Sequence, residues 1–172
     1  AIIADLPAIR KNLGYTFLLG TAGLGGFGTL LYYSAYTTTA VNIGIIQGAM
    51  PAIVLIGSYF FFRTHVSLIQ IGGVSITILG VVFVSIHGEF ERLMSLSFKT
   101  GDLLMLIAVL LYGSYSLGLR RKNNLSSIAL FASVVASAFI STLPLTIFEY
   151  TSGRTVWPEL DDFVLVGMIV LF

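Results

Sequence analysis

From Thr39 to Phe62 the chain reads TAVNIGIIQGAMPAIVLIGSYFFF, without one charged side chain. At about 1.5 Å per residue, a helix of that length covers the roughly 30 Å hydrocarbon core of a bilayer. Lipid offers no hydrogen bonds, so the backbone of such a run must pair within itself. Pro51 stands near the middle of the run. It has no N–H to give, and the carbonyl it leaves unpaired must be met by a neighbouring helix, a side chain or trapped water. Pro51 therefore predicts a helix kink facing protein or a cavity, with Gln47 one turn before it and Asn42 earlier.

The rest of the chain has the same character. Charged residues make up 10% and apolar residues 56%, with a mean hydropathy of +0.96. A soluble domain carries about 25% charged residues. The sequence predicts an all-α integral membrane protein, a helical bundle with five complete transmembrane helices and the start of a sixth. The complete spans are Leu13–Tyr36, Thr39–Phe62, Ser67–His87, Gly101–Leu119 and Ser126–Phe148, and the partial one starts near Asp162. Short links make consecutive helices antiparallel. The chain opens on Ala1 and stops at Phe172 inside an apolar run, so further helices are expected beyond both ends. No signal peptide opens it, since Asp5, Pro7, Arg10 and Lys11 precede the first apolar run.

Charge sorts the links into two sets. One set holds Arg10, Lys11, Arg63, Arg120, Arg121 and Lys122, with Asp5 as its acid. The other holds Arg92, Lys99 and Arg154 together with Glu89, Glu91, Asp102, Glu149, Glu159, Asp161 and Asp162. Basic residues in short loops mark the cytoplasmic face. Arg63, Arg120, Arg121 and Lys122 are read as cytoplasmic topology determinants, in a multi-pass protein of the plasma membrane, the inner membrane of a bacterium. The lipid bilayer is then one partner. The formal net charge of +1 and the lack of a long basic run argue against nucleic acid.

Small residues set the packing logic. Gly20, Gly23, Gly25, Gly26 and Gly28 crowd the first span, and Gly72, Gly73 and Gly80 lie in the third. Gly44 and Gly48 are four apart in the second span, and Ser133, Ser137 and Ser141 repeat at that spacing in the fifth. Close backbone approach lets van der Waals contacts and interhelical hydrogen bonds hold helices together in lipid. The Gly44–Gly48 pair serves either packing within the chain or a homodimer face.

The segment YYSAYTTTAVNIGIIQGAMPAIVLIGSYFFFRTHVSLIQIGGVSITILGVVFV resembles the EamA-type members of the drug/metabolite transporter superfamily. The residues that carry the resemblance are Tyr33, Ala35, Tyr36 and Thr37, then Pro51, then Val66, Ser67, Leu68, Gln70, Gly72, Gly80 and Val81. The later span is similar to the family's helix that opens on Gly101–Asp102 and ends with Tyr115 and the pair Arg120–Arg121. Thr64 departs from the pattern, which usually has a Glu in that turn. The resemblance implies ten helices in two inverted repeats. Residues 1–88 would close the first repeat and residues 101–172 open the second. It also implies a transporter, not an enzyme, with no cofactor: an exporter of small organic metabolites, amino acids or drugs by alternating access.

Polar and aromatic residues at mid-membrane depth are the candidates to line a substrate cavity: Asn42, Gln47, Tyr112, Tyr115, Tyr33 and Ser116. Gly44, Gln47, Gly48, Pro51, Leu55 and Ser58 share one side of their helix. Gln47 either lines the cavity or bonds a neighbouring helix. Asp102 caps its helix rather than sitting in mid-span. There is no cysteine, and His65 and His87 are too far apart to suggest a metal site. A membrane-embedded enzyme would want a Ser–His pair, paired aspartates or a histidine–acid motif near the midplane, and none stands out. A non-transporting membrane subunit is the remaining alternative.

Overall fold

The computed structural model describes residues 5–86, 97–120 and 125–153, and all regular structure among them is helical. The elements are α1 (Leu6–Leu19), a π-helical segment (Gly20–Gly26), α2 (Phe27–Ala35), α3 (Ala40–Gly48), α4 (Met50–Phe62), α5 (Leu68–Ser85), α6 (Thr100–Gly118) and α7 (Ser127–Thr151). Four helices are long and apolar enough to cross a membrane: Ala40–Phe62, in which α3 and α4 run together, then α5, α6 and α7. The chain forms one compact unit up to Ser141; residues from Thr142 on belong to a second, of which 142–153 complete α7. The predicted sixth helix from Asp162, together with His87, Arg121 and Lys122, lies outside the described residues.

The first predicted span differs from expectation in two ways. It starts earlier, at Leu6, with Pro7 in the first turn where its missing N–H removes no helical bond. It then passes through a π-helical segment, GTAGLGG, while Leu19, Gly20, Gly26 and Phe27 all keep right-handed helical dihedrals. Glycine has little preference for the α-helix, so a run of four glycines in seven residues lets the backbone widen locally without breaking. The Thr21 hydroxyl is buried here without a hydrogen-bond partner among the described residues.

The predicted Pro51 kink takes the form of a break. α3 ends at Gly48, Ala49 makes a tight turn (φ −77°, ψ −9°), and Pro51 falls in the first turn of α4. The Ala49 N–H donates back to the Ile46 carbonyl at 3.2 Å, and the Ile53 N–H to Ala49 at 3.1 Å. Breaking two residues earlier moves the proline to a position that needs no N–H.

Local sequence signals set the other ends. Thr39 accepts from the Asn42 N–H at 3.2 Å to start α3, and Ser67 with Gln70 forms a reciprocal capping box on α5. α4 stops where Arg63 turns left-handed (φ 50°), and the Thr64 hydroxyl donates to the Ser58 carbonyl at 2.8 Å. That bond replaces a helical partner lost at the C-terminus.

The packing centres on α6. Met105, Ala108 and Val109 are fully buried, against Phe27, Leu30 and Leu31 of α2, Ile43 and Ile46 of α3, and Met50 and Ile53 of α4. Nearly two turns on, Tyr115 packs with Leu19 and Val134. By contrast, no residue of α5 is buried; it packs along α3 and stands off from α4. Its contact runs through small residues, Gly44 facing the Ser85 hydroxyl and Gly48 facing Val81. The Gly44–Gly48 pair is thus used inside the chain.

Gly23 shows how close the approach is, since a Cβ there would lie 2.2 Å from the Cβ of Tyr115. A Cβ added at Gly28 would meet nothing within 4 Å beyond its own helix backbone and chain neighbours. Gly23→Ala is therefore expected to destabilise the protein by about 1–3 kcal/mol through overpacking. Gly28→Ala is expected to be neutral or stabilising by up to about 1 kcal/mol. Thermal unfolding of the two variants in detergent, followed by size-exclusion profile, distinguishes them.

Candidate functional site

Where α5 diverges from α4, a cavity opens. Its volume is about 700 Å³, and α4, α5 and α6 form its walls with Gln47 of α3. Pro51, Val54, Leu55 and Val74 give it an apolar lining, and Gln47, Ser58, Gln70, Thr77, Tyr112 and Arg120 bring the polar groups. The sequence put Gly44, Gln47, Gly48, Pro51, Leu55 and Ser58 on one side of a helix. That side has two fates. Its glycines lie against α5, and the rest of it looks into the space left when α5 moves away.

The polar groups of the cavity are not equally committed. The Ser58 hydroxyl donates to the Val54 carbonyl at 2.7 Å and the Thr77 hydroxyl to the Gly73 carbonyl at 2.9 Å. Both keep only acceptor capacity toward the cavity. The Gln70 carboxamide oxygen is taken up by the Ser67 N–H. The Gln47 amide makes no hydrogen bond among the described residues, so it does not tie α3 to a neighbouring helix there. At the opposite end of the cavity the Arg120 guanidinium lies over the Phe62 ring, 5.7 Å from its centroid.

A second site surrounds Asp102. The carboxylate is 2% exposed and caps α6 by accepting the Lys99 N–H at 2.7 Å. It also accepts the Thr38 hydroxyl, and the Asn42 amide bridges both its oxygens at 2.9 and 3.1 Å. The same amide donates to the Ser97 carbonyl at 3.3 Å. Asn42 and Asp102 line a smaller cavity of about 300 Å³ with Ile45, Ile46, Ser97, Phe98 and Leu106. This cluster clasps the start of α3 and the turn before it to the start of α6. Gly101 permits the approach, since a Cβ there would lie 2.6 Å from the Ser34 carbonyl.

The structure thus brings Gln47, Pro51 and Tyr112 to one cavity and Asn42 to the other. Tyr115, 8% exposed, packs in the core, its ring 5.6 Å from that of Tyr112, and lines neither cavity. Tyr33 is exposed and edge-on to Tyr32, and Ser116 is half-buried; neither lines these cavities. Sequence reasoning missed Asp102 as more than a cap, along with Gln70, Thr77 and the cavity-facing position of Arg120. The Asp102 signal was present: a buried acid at the start of an apolar helix needs several donors. Its donors on Thr38 and Asn42 come from 60 or more positions away, beyond the reach of local pattern.

Asn42→Ala removes both amide donors from a buried carboxylate. It is expected to cost about 1–3 kcal/mol, as for hydrogen bonds to charged groups. In a double-mutant cycle with Asp102→Ala the two losses should be strongly non-additive. Unfolding in mixed detergent measures the coupling, and simple additivity would mean that the two side chains act independently.

Residues 2–86 match the EamA-like transporter family. Three curated relatives are similar along more of the chain. The uncharacterized transporter YyaM of Bacillus subtilis is 27% identical over 113 residues, 66% of this chain and 37% of that protein. The uncharacterized transporter YetK of the same organism is 24% identical over 168 residues, 96% of this chain and 51% of that protein. An uncharacterized transporter of Methanothermobacter thermautotrophicus is 27% identical over 177 residues, 94% of this chain and 51% of that protein. The chain therefore spans about half the length, or less, of these relatives. No solved structure matches it significantly. The match of residues 2–86, the three transporter relatives and the membrane-length helices agree: residues 2–86 are an EamA-like transporter segment, carried in a helical membrane protein of the transporter type.

Proposed function

We propose that this chain forms part of a carrier that exports small organic solutes, metabolites, amino acids or drugs among them, by alternating access. The observation that carries the reading is the cavity between α4, α5 and α6, with the uncommitted amide of Gln47 beside the Pro51 break. An amide in lipid without a partner is unfavourable, and a polar solute or water in the cavity supplies one. Apolar walls with a few convergent polar groups suit amphipathic solutes. Tyr112 adds an aromatic face, tilted 52° against Phe27 at 5.1 Å.

In this reading residues 1–88 end the first of two inverted repeats and residues 101–172 begin the second, within ten helices. The protein lies in the plasma membrane of a bacterium, with Arg63, Arg120, Arg121 and Lys122 in the cytoplasm and the cavity reaching toward that face. A homodimer, if formed, uses a face other than Gly44–Gly48, which α5 occupies.

Two measurements test this. With the complete protein in vesicles, Gln47→Ala is expected to reduce solute flux at least about tenfold, the loss of one well-placed polar contact. Tyr33→Phe is expected to leave flux unchanged, with insertion normal in both. Equal flux in Gln47→Ala and wild type rules out this cavity as the path. Separately, single cysteines at Thr64 and Phe98 are expected to react with impermeant reagents from opposite faces, Thr64 from the cytoplasm. Reaction from one common face would overturn the topology.

A further inference from the structure

We propose that the cavity between Gln47 and Arg120 selects small organic anions, with Arg120 as its specificity-determining residue. The inference rests on the cavity being the solute path, and adds the charge of the solute.

The charge inventory of the lining is one-sided. Among the described residues Arg120 is the one formally charged residue that lines the cavity; the carboxylate of Asp102, at the opposite end of α6, lines the other cavity and is engaged there. Among the described residues Arg120 has no carboxylate within ion-pair distance; its guanidinium contact is the face of Phe62. A cation–π contact of this kind uses no N–H in a hydrogen bond, so the guanidinium fork stays available. That fork matches the two oxygens of a carboxylate, and Arg binds planar anions in this bidentate way.

Arg120 is solvent-exposed at its end of the cavity, so water screens part of its charge, and the apolar walls carry the remainder along the lining. Gln47, Ser58, Gln70 and Thr77 are neutral and cannot cancel it. A cation entering would meet a like charge with no acid to offset it. An anion would meet Arg120 at one end and, at the other, a neutral amide free to bond a second polar group. A role in topology alone requires only that the arginine be on the cytoplasmic side. Arg63 meets that requirement, capping α4 in the same set of links without lining the cavity.

The chain contains no cysteine, which makes a direct test available. Thr77→Cys puts one thiol on the α5 wall of the cavity, in the complete protein with any other cysteine replaced by serine. Its modification rate is measured with two methanethiosulfonates of similar size, one bearing a sulfonate and one a trimethylammonium. The sulfonate reagent is expected to react at least about fivefold faster relative to its rate with a free thiol, as one uncompensated charge predicts. Arg120→Gln should abolish the ratio, Arg120→Lys retain most of it, and Arg63→Gln leave it unchanged. Equal rates for the two reagents overturn the anion proposal while leaving the cavity in place. So does a ratio that survives Arg120→Gln or falls equally in Arg63→Gln. A thiol that reacts with neither reagent means that the cavity is not an aqueous path, and both readings fail. The ratio is taken in maltoside micelles and in phosphatidylcholine vesicles. If it appears only in micelles, Arg120 serves lipid phosphate, and the proposal is overturned in favour of a lipid contact.

Discussion

Helices in lipid gain little by hiding apolar side chains from one another, because the surrounding chains are equally apolar. What holds this chain together is contact at close range, and α6 is where that contact is concentrated. At one end Asp102 gathers the Thr38 hydroxyl, the Asn42 amide and its own cap. Along the middle Met105, Ala108 and Val109 are enclosed by α2, α3 and α4. Farther on, Tyr115 lies on Gly23 of the π-helical segment. Each of these requires another: the clasp fixes the ends, which sets the depth at which the tyrosine meets the glycine.

Against that fixed helix, the break at Ala49 divides the second span into two halves with different partners. α3 serves both α5 and α6, whereas α4 packs on α6 and leaves α5. The face of this span begins as packing surface and ends as one that lines a cavity, and Gln47 sits at the change-over.

Much of this was legible because membrane sequences carry strong, simple signals. Length and apolarity identified Thr39–Phe62 as a span, and helical periodicity put Gln47, Pro51, Leu55 and Ser58 on one side. What periodicity left open was the partner of that side. It treated Gly48 and Gln47 alike, although one meets Val81 and the other a void. The π-helical segment was illegible for a related reason: glycines that allow close packing and glycines that allow backbone widening look the same in a string. Asp102 was read correctly as a cap, but a cap explains one hydrogen bond of a carboxylate that accepts several. Charge counting marks Arg120 as a topology signal, and it cannot say whether such a residue also faces inward.

The two ends of α6 differ in a way that bears on how a carrier of the proposed kind would move. The Asp102 end is closed by hydrogen bonds to a carboxylate, and the Arg120 end is open beside a cavity. Alternating access requires the closed end to part and the open end to close. A clasp at mid-membrane would leave a bare charge in hydrocarbon when it parted, at a cost of several kcal/mol. This one lies at the first turn of α6, next to the turn before α3. If that end parts toward an aqueous face, water would replace Thr38 and Asn42 as donors, and the exchange would involve the net value of a few hydrogen bonds, about 1–3 kcal/mol each. In a carrier of the proposed kind, an acid at a helix start would let the same contact order the bundle and still be exchanged for water.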